Sequence, residues 1–164
     1  MKESQESGMS LIEYHLRSAT SQDHTCIRRV ICQARLNPLG ISWQSFIIAE
    51  NSSEAFLGCA QIKAHWDGTK ELASIYVQPA YRNQGIAAGM IRELQGRTQV
   101  ELWLTCRSSL MAFYKRFGFI EVTLPGEMPI YFNVVWWLFR FFSRLVGSGE
   151  GLAVMRWKRA EEIT

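Results

Sequence analysis

Residues 82–88, Arg-Asn-Gln-Gly-Ile-Ala-Ala, put one cation and two amide side chains ahead of a stretch with almost no side-chain bulk. That pattern suits holding an anion. Just before it, an apolar run (Leu72, Ala73, Ile75, Val77) meets Pro79, which has no N–H and ends regular strand pairing. Just after it, Ile86, Met90, Ile91 and Leu94 recur at helical spacing. The order is strand, turn, helix. Unpaired amides at a helix start attract phosphate, and Gly85, Ala87 and Ala88 let a ligand approach the backbone.

Two other phosphate loops are excluded. A P-loop ends in Gly-Lys-Ser/Thr, so that the lysine meets phosphate and the hydroxyl holds Mg²⁺, and no such ending follows Gly85. A dinucleotide fingerprint needs G-x-G-x-x-G directly after a strand. Gly147-Ser148-Gly149-Glu150-Gly151 follows a cluster of Phe and Arg instead, and reads as a flexible link.

The elements that must position this turn follow from periodicity. Residues 11–17 alternate as a first strand. Thr20 and Asp23 suggest a capping box, with Ile27, Val30, Ile31 and Ala34 on one helical face behind it. Residues 43–50 form a second strand. Residues 56–65 and 71–77 pair as a hairpin around Asp67-Gly68. After the helix, Val100, Leu102 and Leu104 alternate as another strand. Ser108 is placed to cap a helix carrying Leu110, Phe113, Tyr114 and Phe117, which Gly118 ends. Residues 119–123 and 152–157 supply the last two strands. The order implies an α/β fold with a mixed sheet.

The turn Arg82-x-x-Gly85-x-Ala87 after Ile75-Tyr76-Val77 resembles motif A of the GNAT superfamily of N-acetyltransferases. Residues 104–119, LTCRSSLMAFYKRFGF, are similar to that family's motif B through Phe113, Tyr114, Gly118 and Phe119. The resemblance implies a mixed, mostly antiparallel sheet, splayed between the fourth and fifth strands and flanked by helices. It implies acetyl-CoA as donor substrate without a metal, and transfer of acetyl to a primary amine by direct attack in a ternary complex. Tyr76, Val77, Arg82, Asn83, Gln84, Gly85, Ile86, Ala87 and Ala88 would line the cofactor, joined by Arg107 and Tyr114. Arg107 stands where the family often has Asn, so it would reach a CoA phosphate or remain solvated.

The resemblance also implies roles. The backbone amide of Val77 would polarise the thioester carbonyl, as an aimed amide does for a developing oxyanion. Tyr114 would protonate the departing thiolate, since a phenol with pKa near ~10 is of similar basicity. The family's usual strand carboxylate is absent at Ala73 and Ser74. By simple alternation Glu71 shares a face with Ala73, Ile75 and Val77, which makes it the candidate general base. Glu50, His65 and Asp67 are weaker candidates. A non-catalytic CoA-binding or protein-interaction module on the same fold is the alternative, and a longer acyl-CoA donor a third reading.

Composition bounds the rest. The 164 residues suit one domain, expected over 11–158, with tails at 1–10 and 159–164. A formal charge of +3 is too weak to argue for nucleic acid. Cys26, Cys32, Cys59 and Cys106 show no metal spacing and suit a reducing cytoplasm. Cys106, on a strand, reads as a packing residue rather than a nucleophile.

One segment lies outside the resemblance. Residues 130–146, IYFNVVWWLFRFFSRLV, form an apolar helical insertion, about 127–149, between the last two strands. With two arginines it falls short of a membrane span. It suits a homodimer interface, a peripheral membrane contact or a lid on the acceptor site.

Overall fold

The computed structural model describes residues 12–146 and 151–159. The expected tails, apart from Arg159, and most of the Gly-rich link lie outside them. Seven strands form one sheet: β1 (Tyr14–Ser18), β2 (Phe46–Asn51), β3 (Phe56–Ala64), β4 (Lys70–Val77), β5 (Leu102–Arg107), β6 (Ile120–Val122) and β7 (Leu152–Trp157). Four helices flank it: α1 (His24–Gln33), α2 (Ile86–Arg97), α3 (Met111–Lys115) and α4 (Ile130–Val146). The sheet order is β1-β2-β3-β4-β5-β7-β6, and all neighbours are antiparallel except β4 and β5.

Central strands read as continuous apolar runs because helices cover both faces. Ile47, Ala49 and Leu57 pack with Met90, Ile91 and Leu94 of α2. Their neighbours Phe46, Ile48 and Cys59 pack with Ile27, Val30 and Ile31 of α1 on the other face. The alternation recurs in β5. Leu102 and Leu104 join the α2 side, while Trp103 joins Val122, Val154 and the fully buried Phe132 of α4. On one face, then, α1 covers the β2–β3 region and α4 the β5–β7–β6 region, with β4 between them. Burying a side chain such as Phe132 contributes about 1.5–3 kcal/mol.

Two irregularities open the middle of the sheet. The parallel pair β4–β5 has a single register pair, Glu71 with Trp103, beyond which the strands part. Within β4, three residue steps from Ala73 to Tyr76 oppose two steps of β3, from Gln61 to Cys59. Ser74 absorbs the extra residue at φ +55°, and its Oγ accepts a 2.8 Å hydrogen bond from Gln61 Nε2. This bulge breaks the simple alternation that would align Glu71 with Ile75 and Val77.

Smaller departures have local causes. Thr20 N–H does donate to the Asp23 carboxylate at 2.7 Å, but the turn it caps is 3₁₀ before α1 begins. Ser108 is not a helix cap: its hydroxyl bonds the Gly151 carbonyl at 3.2 Å, tying β5 to the start of β7. Helix α3 is accordingly short, and Gly118 at φ +80° closes the turn after it.

Candidate functional site at the splayed strands

The first hydrogen bond at the start of α2 runs from Gly89 N–H to Gly85 O at 2.9 Å. The amides of Ile86, Ala87 and Ala88 therefore precede the helical ladder and carry the positive end of its dipole. Gly85 turns the chain into the helix at φ +83°, a left-handed conformation in which a side chain is strained. A Cβ there would point into open space, so it is the backbone angle that favours glycine.

These amides open on a cavity of about 780 Å³, lined among others by Tyr76, Val77, Arg82, Asn83, Gly85, Ile86, Ala87, Ala88, Phe113 and Arg116. Arg82 folds back over the strand end, its Nε donating to Val77 O at 3.1 Å. Gln84 is not in the lining; its Oε1 instead accepts from Ile12 N–H at 3.3 Å. Arg116, the residue that follows α3, carries no local sequence signal and brings a second cation to this side.

A second cavity of about 470 Å³ shares Leu36, Ile75 and Leu110 with the first and occupies the gap between α1 and α4. Glu71, Ala73, Ser74, Thr105, Cys106, Arg107, Tyr114, Tyr131 and Val135 are among its walls. Arg107 and Tyr114 thus sit here and not beside the amide cradle. Arg35 and Lys63 border the same cavity. Arg35 follows the C-terminus of α1 at φ +54°, with its N–H on Cys32 O and the Leu36 N–H on Ile31 O, the place where glycine is usual.

Glu71 is the buried carboxylate of this cavity, and its Oε2 lies 2.7 Å from His65 Nε2. Burial raises its pKa above the ordinary carboxylate range, and the hydrogen bond from His65 and the Thr105 hydroxyl offset only part of that. The His65 ring is stacked on Tyr131 of α4, with centroids 3.4 Å apart and planes 17° from parallel, and has its edge on Phe132. Asp67, in the same turn, accepts the Tyr131 N–H at 2.9 Å and so caps α4. Although desolvation opposes it, bonds from Thr69 and Tyr131 hold the Asp67 carboxyl below its usual range. Glu50 stands apart, bonded to His15 and Arg17 between β1 and β2.

Tyr114 packs edge-on against Phe113 and Phe119. Burial, with a smaller contribution from Cys106, pushes its phenol up to about 12. Burial likewise pushes the Cys106 thiol up to about 11, and its Sγ faces Met155 Sδ at 3.8 Å, a packing position rather than a thiolate nucleophile. Among the described residues no group of three His, Cys, Asp or Glu is placed to hold a metal ion.

Residues 42–121, just under half of the chain, match the model of the acetyltransferase (GNAT) domain. No curated protein sequence matches the chain. Among solved structures, an N-acetylglutamate synthase from Neisseria gonorrhoeae complexed with coenzyme A and L-arginine superposes with a TM-score of 0.70 at 15% identity, over 92% of this chain. The superposition covers 34% of that protein, so this chain spans about a third of the synthase's length. A Mycobacterium tuberculosis protein, Rv2747, in complex with CoA aligns over 88% of this chain and 98% of its own, at 17% identity and a TM-score of 0.67. The ribosomal-protein-S18-alanine N-acetyltransferase from Escherichia coli covers 93% and 99%, at 18% identity and 0.59. At such identities the likeness is one of fold.

Proposed function

We propose, on the match of residues 42–121 to the acetyltransferase (GNAT) domain, that this chain moves the acetyl group of acetyl-CoA to a primary amine by direct attack in a ternary complex. Acetyl-CoA is a substrate in this scheme. The amides of Ile86, Ala87 and Ala88 hold its pyrophosphate, and the open side of Gly85 leaves it room. The pantetheine arm runs between the parted strands toward Glu71.

One observation carries the reading: the cavity with the anion cradle and the cavity with the buried carboxylate meet at the splay of β4 and β5. Arg35, Lys63 and Arg107 favour the neutral form of an entering amine, the form that can attack. The Val77 amide polarises the thioester carbonyl. As the C–N bond forms, Glu71 takes the amine proton, and its raised pKa suits it to that task. As the C–S bond breaks, Tyr114 gives its proton to the sulfur. The high pKa of Tyr114 keeps it protonated, and the burial that raises it also raises a thiolate leaving into the same wedge. A proton returning from Glu71 to Tyr114 through water resets the site.

The similar structures include an N-acetylglutamate synthase and a ribosomal-protein-S18-alanine N-acetyltransferase, and the acceptor here is proposed only as a primary amine. The test incubates the purified chain with acetyl-CoA and a panel of amino acids, polyamines and peptides, and follows release of the CoA thiol alongside acetylated product. Thiol release matched by acetylamine supports transfer. Acetyl-CoA binding without turnover on any amine would make the chain a non-catalytic CoA-binding module.

A further inference from the structure

The domain chemistry leaves α4 unexplained. Its inner side is already seated: Phe132 is fully buried, Tyr131 stacks on His65, and Asp67 caps the first turn. Its outer side is a stripe of Ile130, Val134, Trp137, Leu138 and Phe141, each at least half exposed, at spacings that place them along one helical face. A patch of five large apolar side chains exceeds what a soluble surface carries by chance. Trp66, 73% exposed, adds a further aromatic beside the capping residue Asp67.

Charge decides the occupant. From residue 128 to 149 the sequence has two arginines, Arg140 and Arg144, and no carboxylate. The Arg140 guanidinium lies 4.6 Å from the Trp136 ring centroid. The helix itself, residues 130–146, therefore carries two cations and no anion. A lipid surface with anionic headgroups supplies phosphates for the arginines and an apolar layer for the stripe, with tryptophan suited to the boundary. No described helix is long and apolar enough to cross a membrane, so the helix would lie along the surface.

We propose that the outer face of α4 docks this protein on an anionic lipid surface. Tyr131 and Val135 of the same helix wall the acceptor cavity, so docking places that cavity beside the lipid boundary.

The test sediments the full chain with phosphatidylcholine vesicles that contain or lack phosphatidylglycerol. Binding is expected only with the anionic lipid and should weaken as salt rises. The combined variant Trp137→Ser, Leu138→Ser, Phe141→Ser should weaken it about a hundredfold, and Arg140→Glu about fivefold. Brominated phosphatidylglycerol should quench tryptophan fluorescence of the unaltered chain, a readout that needs no variant to fold. Absence of binding, equal binding to neutral vesicles, or a concentration-dependent dimer that the triple variant abolishes would each overturn the proposal.

Discussion

The two ends of the wedge are built from different materials. The proposed donor end is backbone: three amides at one helix start, a left-handed glycine, and side chains kept small. The proposed acceptor end is side chains gathered from the exit of α1, β3, β4, β5, α3, α4 and β7. A backbone cradle reads a phosphate that never changes, so one stretch of chain can encode it. An acceptor cavity has to distinguish amines, and it draws on residues that tertiary contact alone brings together.

That contrast can be broken from the donor side with the largest effect. Ala87→Glu places a carboxylate in the first turn of α2, where the helix dipole favours it, yet puts charge and bulk among the amides the pyrophosphate needs. Calorimetry should show acetyl-CoA affinity falling at least about a hundredfold with the melting temperature unchanged. Unaltered affinity would mean the cradle lies elsewhere.

From the acceptor side, Glu71→Gln should lower kcat by about 10²–10³ while leaving acetyl-CoA affinity intact. Because burial holds the native Glu71 pKa above its unfolded value, its ionisation opposes folding. Its contribution to stability is full below the unfolded pKa and is lost as pH rises through the folded one. Activity should run the other way, rising with pH through that raised pKa, and the limb should vanish in Glu71→Gln. A rate profile without such a limb would remove Glu71 as the base.

A smaller loss sharpens the division of labour. Tyr114→Phe should cut kcat about 10- to 100-fold without changing acetyl-CoA affinity, and full turnover would leave Tyr114 a packing residue. The smallest effect belongs to the α4 tether. Asp67→Ala removes a helix cap and should lower stability by about 1 kcal/mol in a thermal melt, with acetyl-CoA affinity untouched.

Legibility followed the same division. The strand, turn and helix of the proposed donor end lie within residues 71–89, where periodicity and Gly85 are local signals, and the splayed sheet followed from the family resemblance that they carried. The bulge at Ser74 had no such signal, because nothing in a serine announces a positive φ. Val100 was expected in a strand but lies half exposed before β5, its N–H on the Thr98 hydroxyl at 3.3 Å. The partnership of His65, Glu71 and Tyr131 depends on α4 returning to the β3–β4 turn, a contact between positions some sixty residues apart. The apolarity of α4 was plain in its composition; which of its sides faces inward was not.

The most direct test is a crystal structure of the chain with acetyl-CoA. The pyrophosphate is expected on the amides of Ile86, Ala87 and Ala88. The thioester is expected between β4 and β5, with its carbonyl on the Val77 amide and its sulfur beside Tyr114. Acetyl-CoA bound away from the splay, or with its thioester turned from the Glu71 cavity, would contradict this placement.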